Sequence, residues 1–185
     1  MDYNPRTDIF KKISSESLTR ILYSSWDIQQ SLSALTFLLE ECDFDARYNT
    51  IETRRFKCYE TTMVISFSRP FETSRNHSAL SLNTVGIKLD HSELMLKDKI
   101  LGVRRKIVAH SDIDFMHFKS SVLDIEGFPF PYLQYDETLL FNPEELRLIE
   151  RLLRELKFYI STFVIDLSKN NPGVLEFYKQ PVARL

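Results

Sequence analysis

Cysteine is nearly absent. Cys42 and Cys58 are the only two among 185 residues, which excludes a disulfide framework and reads as reduced, cytosolic thiols. Cys42 is expected to be a small filler near a helix end. Glycine is also rare, with 4 residues, and proline numbers 7, which excludes a loop-rich or low-complexity chain. There is no phosphate-binding glycine loop and no nucleophile elbow for a Ser–His–Asp hydrolase. No run approaches the ~18 apolar residues needed to span a bilayer. The start, Met1-Asp2-Tyr3-Asn4-Pro5-Arg6, lacks the apolar core of a signal peptide. A cytoplasmic protein, neither secreted nor membrane-embedded, is therefore expected. An excess of positive charge is missing too: 24 Lys and Arg face 26 Asp and Glu, for a net charge of -2. Proteins that track long nucleic acid by bulk electrostatics are basic, so any such contact here has to be local. His77, His91, His110 and His117 are not spaced as ligand pairs on a helix turn, so neither metal nor cofactor is expected.

What is present is helical periodicity. With 43% hydrophobic and 27% charged residues, the chain suits one globular domain with a real core. A first helical region runs from about Asp8 to Cys42, with Leu18, Ile21, Leu22, Ile28, Leu32, Leu35 and Leu39 near helical spacing. Ser14 or Ser15 is placed to cap a start or a break within it, and Trp26 is expected in the core. A second helix is expected over Arg47 to Ser68, with Phe56, Tyr59, Met63 and Phe67 as its stripe and Arg54-Arg55-Phe56-Lys57 near its start. Pro70 disfavours a helical Arg69 and should end it. Phe71 to Asp90 reads as polar and irregular.

Asp90 and Glu93 form a capping box for a third helix, whose buried stripe is Leu96, Ile100, Val103 and Ile107. Gly102 weakens that helix by up to ~1 kcal/mol relative to alanine unless close packing needs it. Met116 to Ile125 and Tyr132 to Phe141, punctuated by Gly127, Pro129 and Pro131, predict a small β-hairpin with a longer loop. Asn142-Pro143-Glu144-Glu145 starts the last helix: a cap, a first-turn proline and two acids at the positive end of the dipole. Leu146, Ile149, Leu153, Leu156, Ile160, Phe163 and Leu167 then follow in steps of three and four, a seam for a bundle or for a second copy. Asn170, Asn171, Pro172 and Gly173 stop it, and the tail 171–185, with Leu175, Phe177 and Tyr178, is expected to dock. There is no internal repeat and no linker. The expected architecture is all-α: one domain over 1–185, a bundle of four to five helices with a small hairpin inserted before the last long helix.

The stretch Val103-Arg104-Arg105-Lys106-Ile107-Val108-Ala109-His110-Ser111-Asp112 points most directly at chemistry. A guanidinium that keeps its charge lies near an imidazole that titrates close to neutrality, a pairing suited to a phosphodiester. On a regular helix His110 falls ~20° from Val103, at the edge of the apolar stripe. Arg104 and His110 are ~120° apart and Arg105 and His110 ~140° apart, so neither pair converges without helix distortion, a long arginine reaching round, or a second protomer. Two symmetry-related helix ends would bring two arginines and two histidines into one cleft.

This segment resembles the signature of the HEPN superfamily, small all-helical proteins of prokaryotic toxin–antitoxin, abortive-infection and phage-defence systems. There an arginine precedes a histidine by four to six residues, often as Arg-Asn-Lys-x-x-Ala-His. Arg104-Arg105-Lys106-Ile107-Val108-Ala109-His110 fits that frame with Arg104 and His110 in the two catalytic places. Arg105 departs from it, standing where a polar residue usually supports the arginine. If Arg105 is the family arginine instead, the gap is still allowed and Lys106 becomes the atypical neighbour. The resemblance covers about a dozen residues. It implies a metal-independent endoribonuclease that acts on RNA as a homodimer and is neutralised by an antitoxin protein; it also admits members that have lost catalysis.

A plainer reading stands beside it. His110, Arg104, Arg105 and Lys106 all gain from the dipole of a helix end, and Asp112 and Asp114 can pair with them on the surface. Among weaker signals, Arg69 is placed either to line the same cleft and touch a phosphate or, by preference, to cap the second helix. Arg75, Asn76 and His77 form a loop cluster suited to RNA contact or to simple solvation. Lys97, Lys99, Arg104, Arg105 and Lys106, opposed only by Asp98, make the one local basic patch. Lys106, Arg69 and Arg75 are the substrate-binding candidates.

Overall fold

The computed structural model describes residues 13–73, 78–108, 118–135 and 138–175. Four main helices, α1 (Ser15–Glu41), α2 (Thr50–Ser68), α4 (His91–Val103) and α5 (Pro143–Asn170), carry the architecture. A four-residue helix, α3 (Leu82–Val85), lies between α2 and α4, and one antiparallel hairpin, β1 (Phe118–Ile125) and β2 (Phe128–Tyr135), precedes α5. The all-helical class and the inserted hairpin agree with the sequence. No helix of the described residues is long and apolar enough to cross a membrane.

Helix ends follow local chemistry. Ser14 caps α1, its side chain accepting the Ser17 N–H at 3.1 Å; the stretch from Asp8 to Lys12 lies outside the described residues. Cys42 closes α1 and is buried. The second helix starts at Thr50 rather than Arg47. Asn49 accepts the N–H groups of Ile51 and Glu52, and Glu52 reaches back to the Asn49 N–H, so the capping box sets the start. Its end departs from expectation. Arg69 is helical, with φ -53° and ψ -44°, and the chain continues as a 3₁₀ turn over Arg69–Phe71. Pro70 has no N–H to carry on the α2 ladder, and the chain tightens into the 3₁₀ turn there.

The last-helix seam is buried along its whole length, with Leu152 added. It packs in one core cluster with Leu18, Ile28, Leu35 and Leu38 of α1 and Phe56, Met63 and Phe67 of α2. The seam is thus consumed within the chain, and pairing of a second copy along it is excluded by occupancy. Val174 and Leu175 pack against the same core; residues 176–185 lie outside the described residues.

Trp26 is not in the core: it is 69% exposed. It lies two positions before fully buried Ile28, a rotation of ~200°, so it faces outward with Tyr23 and Phe37. The inner positions nearby belong instead to Arg20, Ser24, Asp27 and Ser31, all buried.

The hairpin turn is tight, not long. Glu126 (φ 54°) and Gly127 (φ 82°) form a two-residue loop, the left-handed pair of a type I′ turn, and the Gly127 N–H donates to Asp124 Oδ1 at 2.8 Å. Pro129 and Pro131, expected as loop punctuation, lie inside β2 opposite Asp124 and Val122. In a two-residue hairpin these alternate positions point their N–H away from the partner strand, so proline costs no ladder bond. Leu123, Ile125, Phe128, Phe130 and Tyr132 share one face through the pairs Leu123↔Phe130, Ile125↔Phe128 and Ser121↔Tyr132. Every residue from Ser120 to Leu133 is exposed.

Candidate functional site

The site begins with α4. Asp90 accepts the Glu93 N–H at 2.9 Å, and the Asp90 N–H donates to Glu93 Oε2 at 2.8 Å. That N–H bond, with the Ser92 hydroxyl, holds the Asp90 carboxyl below its usual range. Ile100 and Leu101 are buried, and Leu96 and Val103 pack partly against the core; the Ile107 side chain lies outside the described residues. Among the described residues, beyond its chain neighbours and its own helix backbone, nothing lies within 4 Å of where a Gly102 side chain would begin, so no close packing seen there accounts for that glycine.

At Arg104 the helix changes character. Arg104–Val108 forms a π-helical turn, and the Arg104 N–H is shared between the carbonyls of Ile100 and Leu101. An i→i+5 turn widens the helix and shifts every later residue around the axis. The offsets calculated for a regular helix therefore do not carry over to this end. His110 itself, with His117, lies outside the described residues.

Arg104 is held from a different part of the chain. Its Nη1 lies 3.1 Å from Glu72 Oε2. Glu72 follows the 3₁₀ turn after α2, and α1 fixes its backbone: Arg20 Nη2 donates to the Glu72 carbonyl and Arg20 Nε to the Ser78 carbonyl, both at 2.5 Å. Glu16 adds a bond from the Ser78 N–H at 3.1 Å. Buried Arg20 thus straps both ends of the 72–78 segment to α1, and Glu72 positions the Arg104 guanidinium.

Arg69 caps nothing. Its Nη1 crosses to α1, 3.2 Å from Asp27 Oδ1 and 3.4 Å from Gln30 Oε1, and its side chain remains 54% exposed. Burial pushes the Asp27 carboxyl up, and the Arg69 bond and charge pull it back only in part. Arg69 and Arg104 therefore flank the turn that carries Glu72. Arg105 is turned back on its own helix, donating from Nε to the Leu101 carbonyl at 3.3 Å. Lys106 is exposed. Arg75 and His77 lie outside the described residues.

The basic patch does not form as the sequence suggested. Lys97 and Lys99 diverge by ~200° around the helix. Lys97 meets Asp98 at 2.7 Å and sits 5.8 Å over the Phe71 ring. Lys99 pairs with Glu145 of α5 and lies 5.5 Å from the Phe141 ring centre. Acids from other elements answer charges that looked unopposed along the sequence. Among the described residues no three His, Cys, Asp or Glu side chains gather as a metal-ligand group.

A second buried acid was missed. Glu60 is fully buried on α2, its Oε1 accepting the N–H groups of Leu140 and Phe141 at 2.7 and 3.0 Å. Oε2 is buried without a hydrogen-bond partner among the described residues. Desolvation raises this carboxyl from 4.5 to about 7, against the pull of the two N–H bonds and of Lys57. Lys57 also donates to the Thr138 carbonyl at 2.7 Å, so one turn of α2 staples the connection from the hairpin to α5. The signal was legible: Glu60 lies in step with Phe56, Met63 and Phe67. Glu72 gave no such signal in a polar loop. No protein-family model, curated protein or solved structure matches the chain.

Proposed function

We propose that this chain is a HEPN-like, metal-independent endoribonuclease, a toxin or phage-defence effector that works as a homodimer with a composite Arg/His site. The observation that carries the reading is the π-helical turn over Arg104–Val108. It marks a departure from the regular helix within the segment that resembles the family signature, and such turns recur at functional sites. One histidine takes the proton of a ribose 2′-OH as its oxygen attacks phosphorus; the other protonates the departing 5′-oxygen. Arg104 holds the phosphate and the charge that builds on it, and Arg105 supports it. The exposed apolar face of the hairpin, beside the signature in the chain, supports a second copy or an antitoxin protein as partner.

A non-catalytic dimeric interaction or RNA-binding module is the second reading. It is favoured by the Arg104–Glu72 pair, which sets a carboxylate where the phosphate would bind. Cleavage of RNA by purified protein in excess EDTA separates the two, with wild type beside Arg104→Ala and His110→Ala. The enzyme reading expects losses of about 10²-fold or more in both variants. A folded wild-type dimer that cuts no class of RNA would leave the module.

A further inference from the structure

The outward face of α1 beside Arg69 exposes two large aromatic side chains. Tyr23, Trp26 and Gln30 fall at steps of three, four and seven, so they line one face over ~10 Å of helix, with buried Asp27 beside them. Trp26 is 69% and Tyr23 58% exposed. Arg69 reaches Asp27 and Gln30 of the same helix from the turn after α2. Three residues beyond Arg69, Glu72 holds Arg104. A broad indole, a phenol, a half-exposed guanidinium and an exposed carboxamide thus adjoin the turn that positions the proposed catalytic arginine.

Each component fits one ligand class. Indole and phenol rings offer flat faces on which an unstacked base can lie, whatever its identity. A guanidinium beside them meets the phosphate of the same or the next nucleotide. The Gln30 carboxamide can donate to and accept from a base edge. The same side chains anchor protein interfaces; what favours RNA here is the adjoining turn, whose Glu72 holds Arg104.

We propose that Trp26, with Tyr23 and Arg69, forms a stacking site for an unpaired base of single-stranded RNA, next to the phosphate held at Arg104. This rests on the ribonuclease reading and specifies its substrate: an unpaired strand or loop, not a continuous duplex, whose bases are already stacked.

Trp26 is the only tryptophan in the chain, so its emission reports on this site alone. The experiment titrates full-length protein with a fluorescein-labelled single-stranded RNA 12-mer (about one short binding-site length) and with the corresponding duplex. RNA anisotropy is read beside Trp26 emission, with His110→Ala in place of wild type so that the RNA stays intact. The site predicts quenching that saturates together with anisotropy for the single strand and not for the duplex. In the same background Trp26→Ala should weaken single-strand binding by about 5- to 150-fold. Trp26→Phe should restore most of it, and Phe158→Ala, another exposed aromatic on α5, should change nothing. Single-strand binding without quenching, and unaffected by Trp26→Ala, would overturn the stacking site and leave the RNA reading standing. No binding of either RNA would overturn both. A blue shift of Trp26 emission that grows with protein concentration alone would assign the face to self-association and refute the proposal.

Discussion

Replacing Glu60 by glutamine tests whether the buried carboxylate burdens the fold. The side chain is fully buried, with one oxygen bonded to two N–H groups and the other without a partner among the described residues. Its carboxyl titrates at about 7 against an ordinary 4.5. Between those values the native state holds a proton that the unfolded chain has released, so stability falls as pH rises. The penalty is absent below the unfolded value, grows from about pH 4.5 and is complete above about pH 7, where it amounts to about 3 kcal/mol. Glutamine keeps the acceptor for Leu140 and Phe141 and carries no charge. Urea unfolding of both proteins should therefore give similar stabilities near about pH 5 and a gain for Glu60→Gln of about 2–3 kcal/mol near about pH 8, with unchanged m-values. Equal pH slopes for the two proteins, or a Glu60→Gln protein that is less stable at the higher pH, would refute the desolvation argument.

Arg20→Ala removes both bonds that strap the 72–78 segment to α1; chemical unfolding should show a loss of about 2–3 kcal/mol, and amide exchange at Leu80 should accelerate. Gly102→Ala meets no atom within 4 Å among the described residues beyond its chain neighbours and its own helix backbone and should stabilise by up to about 1 kcal/mol in thermal unfolding. Glu126→Gly relieves a left-handed φ of 54°; amide exchange in β1 and β2 should slow by a factor expected from about 1 kcal/mol, with little change in the global melting temperature. Leu153→Ala opens the fully buried seam of α5 and should cost about 2–5 kcal/mol by urea unfolding.

The parts of the fold that were legible are those governed by short-range rules. The capping box at Asp90, the cap at Asn142 and the steps of three and four from Leu146 to Leu167 each specify their helix without reference to the rest of the chain. Trp26 went astray because hydrophobicity was read without angle: the inner positions of α1 are shared by Arg20, Ser24, Asp27 and Ser31, whose partners come from distant segments. The hairpin prolines were read as loop because only the register shows that their N–H groups face away from the ladder. At the candidate site, the spacing of Arg104 and His110 is local and visible in the sequence. Its Glu72 partner arrives through a strap set by Arg20, and acids on α5 and the neighbouring turn neutralise part of the basic run. Such pairings depend on tertiary approach, which spacing along one helix does not contain.

The most direct test of the central claim is the chemistry of the RNA ends left by purified wild-type protein in excess EDTA. Attack by the ribose 2′-oxygen requires fragments ending in 2′,3′-cyclic phosphate with 5′-hydroxyl partners, and their loss in both Arg104→Ala and His110→Ala. Fragments ending in 3′-hydroxyl, or cyclic ends that persist in the His110→Ala protein, would contradict the Arg–His mechanism.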